Sequence, residues 1–274
     1  MKTISIKTKI STTSENALVF GDALLTLKSL PDNSVNHCFT DPPYNISGYD
    51  NKKKIGWLQS NQTWVKKKKF TKIDAAWDKF SDDDYDTFSR AWISEVIRVL
   101  KPNGNIIIFG SYHNIYKIGS ILQQLDRKLI NSIVWYKRNA FPNVTQRMFC
   151  ESTEHIIWAA NETQKKAKNW TFNYKDVKAL NGGVQMRNMW DITTTPASER
   201  VHGKHPSQKP IEVLNRLVLG CSNKDDIIID PFMGSGTLPV VAQINGRRYI
   251  GIDSEKDFCD LALKRVKAEY SRLF

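Results

Sequence analysis

Short apolar runs alternate with amphipathic stretches along most of this chain. The runs predict buried strands, and the amphipathic stretches, several of them opened by a polar cap and closed by Pro or Gly, predict helices. Strands are predicted at residues 17–20, 35–39, 105–109, 129–136, 155–159, 226–230 and 248–253. Helices are predicted at residues 22–30, 82–100, 112–125, 210–221, 236–245 and 254–270. This alternation predicts an α/β fold with a doubly wound, mostly parallel sheet and helices on both faces.

Two segments, at about residues 45–75 and 161–204, interrupt the periodic pattern. In both of them lysines are interleaved with aromatic residues, including Trp57, Trp64, Trp170 and Trp190. Basic side chains neutralise phosphates and flat side chains stack on bases, so this composition favours loops that contact DNA. The alternatives are a solvated lysine loop for the first segment and a disordered surface insertion for the second.

Charge and composition narrow the class of protein. The 274 residues fit one domain with insertions, and 40 Lys plus Arg against 28 Asp plus Glu give a net charge of +12. That excess favours a polyanionic partner, double-stranded DNA above all, although a basic solvated surface is the alternative. No apolar stretch is long enough to span a membrane, and we expect a cytoplasmic protein. The four cysteines form no Cys-x-x-Cys pair, so we expect neither a metal site nor a disulfide framework.

The motif Asp41-Pro42-Pro43-Tyr44 directly follows a predicted strand. Ligands of open α/β sheets bind at the carboxyl ends of the strands. Two prolines remove two backbone donors and hold the loop rigid, the Asp41 carboxylate accepts hydrogen bonds, and the Tyr44 ring offers a stacking face. The set suits a planar group that bears an amine. The alternative is that the prolines end a strand and Tyr44 packs in the core.

A second motif, residues 230–237, combines a predicted strand, a glycine-rich turn and a helix, and Asp253 ends the next strand. Glycines permit close approach of the backbone to a ligand, and a terminal carboxylate can accept both hydroxyls of a ribose. The pattern differs from Gly-x-Gly-x-x-Gly, and no Gly-Lys-Ser/Thr phosphate loop is present. A nucleoside without phosphates therefore fits better than a dinucleotide or a triphosphate.

Together these motifs make the chain resemble the amino-methyltransferases of DNA, which methylate exocyclic amines with S-adenosylmethionine and have a Rossmann-like fold. Asp41-Pro42-Pro43-Tyr44 is similar to their catalytic motif, and residues 232–236 are similar to their cofactor motif. Residues 205–210, His-Pro-Ser-Gln-Lys-Pro, are similar to the segment before the cofactor strand. The order of the motifs is that of the β group. The resemblance implies one methyltransferase domain, with a catalytic part at 17–160, target-recognition insertions at about 45–75 and 161–204, and a cofactor part at 205–274.

The resemblance also implies roles for individual residues. Those expected to bind S-adenosylmethionine are Asp22, Ser207, Gln208, Lys209, Asp230, Phe232, Gly234, Ser235, Gly236, Thr237 and Asp253. Of these, Lys209 is expected near the methionine carboxylate, Asp253 on the ribose, and Asp22 near the adenine, unless Asp22 is simply a helix cap. Those expected to contact DNA are Lys52, Lys53, Lys66, Lys67, Lys68, Lys69, Lys137, Arg138, Asn139 and Arg187. Glu154 either shapes the flipped-base neighbourhood or forms a salt bridge.

The chemistry of these residues predicts a mechanism. A base inside a duplex is out of reach, so the nucleotide must be extruded and stacked, with Tyr44 as the platform. Asp41 and the Pro42 carbonyl would accept the two amine hydrogens and direct the nitrogen lone pair at the methyl group. Asp at position 41 favours adenine N6 in this family, where cytosine-N4 enzymes generally carry Ser. The alternatives are a cytosine-N4 methyltransferase and a catalytically inactive DNA-binding module. A homodimer and a cognate restriction endonuclease are further expected partners.

Overall fold

The structure, a computed structural model, describes residues 5–10, 13, 15–45, 80–143, 146–203 and 205–273. Most of the lysine-rich segment predicted at about 45–75 lies outside these ranges. The same holds for the predicted DNA-contacting residues Lys52, Lys53, Lys66, Lys67, Lys68 and Lys69.

Strands and helices alternate within the described ranges much as the hydrophobic pattern predicts. The strands are β1 (Ile6–Lys7), β2 (Ala17–Phe20), β3 (His37–Thr40), β4 (Asn105–Gly110), β5 (Arg127–Tyr136), β6 (Thr153–Thr163), β7 (Met189–Asp191), β8 (Ile227–Asp230) and β9 (Arg248–Asp253). The helices are α1 (Ala23–Ser29), α2 (Asp82–Val99), α3 (Ile115–Gln124), α4 (Tyr174–Leu180), α5 (Ile211–Cys221), α6 (Thr237–Ile244) and α7 (Lys256–Leu273). None of the helices in these ranges is both long and apolar enough to cross a membrane.

The strands described here form one sheet in the order β1-β2-β9-β8-β3-β4-β6-β5-β7. Its neighbouring strands are parallel except at β6, which is antiparallel to both β4 and β5. The predicted doubly wound, mostly parallel α/β fold is confirmed. The hydrophobic pattern did not reveal the antiparallel part, where the chain returns from β5 to β6 without a crossover helix. Parallel neighbours need such a crossover, whereas antiparallel neighbours do not.

Each central strand sends alternate side chains to opposite faces of the sheet. Cys38 and Ile106 face a core formed with α1, α2 and α3, whereas Phe39 and Ile107 face a core formed with α5 and α6. Because both faces are covered, the strands are apolar at nearly every position. A third cluster joins α6 and α7 to the sheet through Tyr249, which is fully buried. The cores leave the carboxyl ends of the parallel strands as the open edge.

Residues 161–204 contain regular structure that the aperiodic sequence did not predict. Helix α4 lies against α5, where Asn173 donates hydrogen bonds to the carbonyls of Leu219 (2.9 Å) and Ser222 (2.8 Å). Strand β7 pairs in parallel with β5 and buries Trp190. Elements this short bury one or two side chains each, so they leave no periodic signature in the sequence. The second predicted insertion is therefore partly an extension of the sheet.

Candidate active site

A cavity of about 340 Å³ lies at the carboxyl ends of β3, β8 and β9, where the sequence predicted a ligand. It is lined by all four residues of the predicted catalytic motif, Asp41, Pro42, Pro43 and Tyr44. It is also lined by ten residues of the predicted cofactor set, namely Asp22, Ser207, Gln208, Lys209, Asp230, Phe232, Gly234, Ser235, Thr237 and Asp253. The fold thus joins, in one cavity, two motifs from opposite ends of the chain.

Asp253 holds the glycine-rich turn in place. Its carboxylate accepts hydrogen bonds from the backbone N–H of Gly234 (2.9 Å) and of Glu255 (2.8 Å). Burial raises the pKa of Asp253 to about 6, although the two donors oppose the rise. Gly234 has a φ of 50°, and a Cβ there would lie 3.0 Å from His205 Nε2. The close approach of His205 explains why this turn requires glycine.

Gly236 differs from the rest of the predicted cofactor set because it does not line the cavity. It caps α6 with a φ of 74°, and a Cβ at this position would lie 2.5 Å from the Ala262 Cβ on α7. Such a distance is a clash. The geometry gives Gly236 a packing function, bringing α6 and α7 together behind the turn, which is a use of glycine that the sequence motif did not predict.

Asp230 lies at the base of the cavity between the two motifs. Its Oδ1 accepts hydrogen bonds from the Thr40 hydroxyl (2.7 Å) and the Phe232 backbone N–H (3.1 Å). Burial raises the pKa of Asp230 to about 7. The Thr40 contact ties the end of β3, which carries the catalytic motif, to the end of β8, which carries the glycine-rich turn.

Arg265, a buried residue of α7 that the sequence did not single out, fixes the other side of the turn. Its guanidinium donates to the Ser235 carbonyl (2.8 Å), the Ser235 hydroxyl (3.0 Å) and the Thr237 hydroxyl (3.0 Å). Burial lowers the pKa of Arg265 to about 10. The two hydroxyls in the cavity wall are thereby oriented by a cation behind them.

The catalytic motif is fixed by helix α2. The Tyr85 hydroxyl donates to the Pro43 carbonyl (2.8 Å) and in turn accepts a hydrogen bond from Asn114 Nδ2 (3.1 Å). The Asn45 side chain accepts from the backbone N–H of Phe80 (2.9 Å). These contacts hold the two prolines rigidly at the mouth of the cavity.

A cluster of charged groups surrounds Asp41. The Tyr44 hydroxyl donates to Asp41 Oδ1 (2.5 Å), and the Lys209 ammonium forms an ion pair with Asp41 Oδ2. Lys209 also lies 3.3 Å from Glu154 Oε2, and Lys137 lies 3.3 Å from Glu154 Oε1. The sequence placed Lys209 near the cofactor only. It did not predict that Lys209 also pairs with Asp41 of the predicted catalytic motif.

The ionisation of the cluster follows from its burial and its pairing. Burial raises the pKa of Asp41, and the nearby Lys209 only partly offsets this. Burial also favours neutral Glu154, but Lys209 and Lys137 outweigh it and lower the pKa of Glu154. Burial disfavours the charge on Lys209, yet the two carboxylates outweigh it and raise the pKa of Lys209. Glu154 therefore ionises more readily than usual, whereas Asp41 is the more basic of the two carboxylates.

Comparisons with known proteins agree with this geometry. A family profile described as DNA methylase, that of the N6/N4 methyltransferases, matches residues 35–264. The type II methyltransferase M2.DpnII of Streptococcus pneumoniae is 41% identical over 254 residues, covering 92% of this chain and 90% of that protein. The type II methyltransferase M.HinfI of Haemophilus influenzae is 37% identical over 260 residues, covering 92% of this chain and 68% of that protein.

Solved structures give the same result. The crystal structure of the M1.HpyAVI–SAM complex superposes with a TM-score of 0.64 at 25% identity, covering 91% of this chain and 98% of that one. The PvuII DNA methyltransferase, described as cytosine-N4-specific, superposes with a TM-score of 0.67 at 17% identity, covering 96% and 93% of the two chains, and shows the shared fold alone.

This chain belongs to the N6/N4 DNA methylase family. The predictions of a DNA methyltransferase and of S-adenosylmethionine as its methyl donor are confirmed. The cavity of this N6/N4 methylase fits that cofactor chemically. A braced carboxylate, Asp253, is available for ribose hydroxyls, Gly234 presents only backbone to the cavity, and Phe232 supplies an aromatic wall.

The described residues predicted to contact DNA lie apart from the cavity lining. Lys137 is largely buried and paired with Glu154, and Arg138 pairs with Asp191 at 2.8 Å while more than half exposed. Asn139 exchanges hydrogen bonds with Thr194, and Arg187 is exposed beside β7. Contact of these residues with DNA stays a prediction for this N6/N4 methylase.

Several residues of the cavity wall were not identified from sequence. They are mostly aromatic or apolar and come from five different segments of the chain: Leu24, Phe80, Phe88, Phe109, His205 and Phe258. Phe88 contacts Phe232, and His205 packs edge-on against Phe258. Among them, His205 begins the His-Pro-Ser-Gln-Lys-Pro segment and so did carry a motif signal. The others look like ordinary core residues in sequence, and only their meeting at the open edge of the sheet gives them a ligand-facing position.

Proposed function

We propose that this enzyme transfers a methyl group from S-adenosylmethionine to the exocyclic N6 of an adenine that is flipped out of double-stranded DNA. One observation carries the proposal: Asp41-Pro42-Pro43-Tyr44 opens into the same cavity as the cofactor residues Phe232, Gly234 and Asp253. An amine bound at Asp41 is therefore adjacent to the space for the methyl donor. Bound S-adenosylmethionine supplies a methyl group already activated by the sulfonium, so the chain itself must bind, orient and exclude water.

Each catalytic residue has a defined task in this proposal. Asp41 and the Pro42 carbonyl accept the two hydrogens of the amine, which favours a tetrahedral nitrogen with its lone pair directed into the cofactor space. The Tyr44 ring stacks on the base, and its hydroxyl is fixed by Asp41 at 2.5 Å. Burial, which raises the pKa of Asp41, also makes this carboxylate a better acceptor for the proton that the amine releases.

The adenine assignment rests on the identity of residue 41. Aspartate is a stronger hydrogen-bond acceptor than the serine generally found in cytosine-N4 relatives, and the similarity to type II methyltransferases such as M2.DpnII supports the adenine assignment. The alternative product is N4-methylcytosine. Digestion of methylated DNA to nucleosides separates the two: N6-methyldeoxyadenosine is expected, and N4-methyldeoxycytidine alone would overturn the assignment.

The catalytic assignment is tested by Asp41→Ala. We expect transfer of tritiated methyl groups to DNA to fall below detection while binding of S-adenosylmethionine survives, because cofactor contacts are made by other residues of the cavity. Retention of near wild-type transfer by this variant would remove Asp41 from the mechanism.

The proposal extends to partners and location. The basic side chains of the two insertions would hold the DNA backbone, and Arg187 and Arg138 would contribute from the described part of the chain. A second copy of the chain and a cognate restriction endonuclease are proposed as further partners. The type II relatives come from bacteria, which supports a setting in the bacterial cytoplasm or nucleoid, or a phage-encoded enzyme.

A further inference from the structure

Glu154 contacts three members of the charged cluster, although it does not line the cavity. Its Oε2 lies 3.3 Å from the Lys209 ammonium and 3.3 Å from the Tyr44 hydroxyl, and its Oε1 lies 3.3 Å from the Lys137 ammonium. The side chain is only 15% exposed. It reaches the cluster from β6, the strand that runs antiparallel between β4 and β5.

The Lys209 ammonium lies close to two carboxylates. Its ammonium forms the ion pair with Asp41 and at the same time lies within 3.3 Å of Glu154. In this arrangement an oxygen of Asp41 is occupied by Lys209 and the other by the Tyr44 hydroxyl. An exocyclic amine that binds Asp41 competes with these two donors for the carboxylate oxygens. A lysine left without a partner in so buried a place would be costly.

We propose that Glu154 is a positioning residue for methyl transfer: it takes over the Lys209 ammonium and retains the Tyr44 hydroxyl when the target amine binds Asp41. This inference rests on the proposed function, because it assigns the incoming donor to the base. The exchange needs only a short movement of the lysine tip, since Nζ already lies between the two carboxylates. No covalent step is involved, and the charge of the cluster is unchanged.

The electrostatics of the cluster agree with this exchange. Lys209 and Lys137 outweigh burial and lower the pKa of Glu154, whereas burial raises that of Asp41. Glu154 is therefore the anion that stays charged throughout, as an acceptor for a displaced lysine must. The charged and titratable groups that face this pair of carboxylates are Lys209, Tyr44, Lys137, Asp230 and Glu151.

A simple structural salt bridge would explain the burial of Glu154 but not its geometry. A salt bridge needs one partner, and Lys137 already supplies it at Oε1. The second oxygen is directed instead at two residues that the catalytic motif and the His-Pro-Ser-Gln-Lys-Pro segment provide, Tyr44 and Lys209. A structural salt bridge and a positioning role for Glu154 predict different effects of its replacement on kcat and on the pH dependence of kcat.

The test compares Glu154→Gln, Glu154→Asp and a control, Glu212→Gln. Glu212 lies on α5, outside both insertions and the cavity lining, and forms an exposed pair with Arg216 at 2.7 Å. The full-length enzyme is assayed for kcat and KM with duplex DNA and tritiated S-adenosylmethionine from pH 5 to 9. The dissociation constant of S-adenosylmethionine and the Tm are measured on the same preparations.

We expect Glu154→Gln to lower kcat by roughly 10- to 100-fold, because Lys209 then stays on Asp41 and Tyr44 loses one of its anchors. The dissociation constant of S-adenosylmethionine should stay within about twofold of the wild-type value. The acidic limb of the pH profile should move to lower pH, because Glu154 is one of the charges that raise the pKa of Asp41. Glu154→Asp should recover part of kcat, and Glu212→Gln should match the wild type.

The inference is overturned if folded Glu154→Gln retains wild-type kcat and an unmoved acidic limb, or if its only defect is a lower Tm. If Glu154→Gln does not fold, Glu154→Asp tests the inference instead. Aspartate retains the negative charge, but its shorter side chain moves that charge away from Lys209 and Tyr44 by one methylene. Wild-type kcat and an unmoved pH profile in that variant would equally overturn the inference. Asp41→Ala distinguishes failure of this inference from failure of the proposed function. If Asp41→Ala is inactive while folded Glu154→Gln is fully active, only the inference about Glu154 fails. If Asp41→Ala is active, the proposed function itself fails.

Discussion

The ammonium of Lys209 pairs with the carboxylate of Asp41, 168 residues earlier in the chain. Lys209 belongs to the segment that precedes the cofactor part, and Asp41 begins the catalytic motif. The pair is therefore a direct link between the half of the cavity predicted to hold the methyl donor and the half proposed to hold the target amine. It also places a positive charge beside the carboxylate that is proposed to accept the amine hydrogens.

Replacing Lys209 with Met should shift the acidic limb of the pH–rate profile to higher pH. Burial already raises the pKa of Asp41, and Lys209 is the main charge that opposes the rise, so its removal leaves Asp41 protonated over a wider range. At neutral pH, kcat should fall roughly tenfold or more. The measurement is single-turnover methylation from pH 5 to 9.

The matched control for that variant is Lys256→Met. Lys256 forms an exposed pair with Asp260 at 2.8 Å, one helical turn away, and such pairs contribute little. It should leave both rate and pH dependence unchanged. An unmoved acidic limb in folded Lys209→Met would show that Lys209 does not control Asp41.

Asp253→Asn should weaken binding of S-adenosylmethionine roughly 10- to 100-fold, the loss expected when hydrogen bonds to a charged group are removed. Burial raises the pKa of Asp253 to about 6. If the ionised form accepts the ribose hydroxyls, wild-type affinity should rise as the pH increases through about 6, and the variant should lack this rise. Titration calorimetry from pH 5 to 8 measures the affinity for S-adenosylmethionine of the wild type and of the variant. Equal pH dependence in the two proteins would exclude Asp253 as the ribose acceptor.

Asp230→Asn should change how stability depends on pH. Burial raises the pKa of Asp230 to about 7 from an ordinary value of 3.8, so between these limits the folded protein holds a proton that the unfolded chain has released. The free energy of unfolding therefore falls as pH rises across that window. Asparagine does not ionise, so Asp230→Asn does not show this fall in the free energy of unfolding. Its Oδ1 can still accept the hydrogen bond from Thr40. At pH 8 it should be more stable than the wild type, by roughly 1 to 4 kcal/mol.

Urea unfolding from pH 4 to 8 measures this effect, and Asp226→Asn serves as the control of opposite sign. Burial favours neutral Asp226, but its hydrogen bond with His37 at 3.0 Å and other donors outweigh that and lower its pKa. Its contribution to stability is present at neutral pH and is lost as pH falls. Removing it should destabilise the protein at pH 7. A destabilised Asp230→Asn at pH 8 would contradict the prediction.

Gly236→Ala should destabilise the fold more than Gly182→Ala does. Both glycines have positive φ, 74° and 64°, so alanine is strained at either position by roughly 1 to 2 kcal/mol. Only at Gly236 would the new Cβ also clash, at 2.5 Å, with Ala262, whereas nothing lies within 4 Å of the Gly182 position. The difference between the two variants in free energy of unfolding isolates the contact between α6 and α7. Ala262→Gly should partly restore Gly236→Ala, and equal losses in the two single variants would contradict this account.

The elements and motifs that could be predicted from the amino-acid sequence are those whose signals are local. Strands such as Asn105–Gly110 are apolar on both faces, the caps Asp22 and Ser81 accept the expected hydrogen bonds, and the two motifs lie at strand ends. Each of these features depends on a few neighbouring residues, which is why the fold class and the motif residues of the cavity lining could be predicted.

Contacts between residues far apart in the chain became evident from the three-dimensional fold alone. The antiparallel run of β6 brings Glu154 to Lys209 and Tyr44, and α7 brings Arg265 behind Ser235 and Ala262 against Gly236. None of these contacts leaves a periodic or compositional trace, because each is fixed by the packing of whole elements and not by adjacent residues. The sequence could therefore predict an acceptor role for Asp41, but the charges that control its ionisation depend on the three-dimensional arrangement of strands and helices around it.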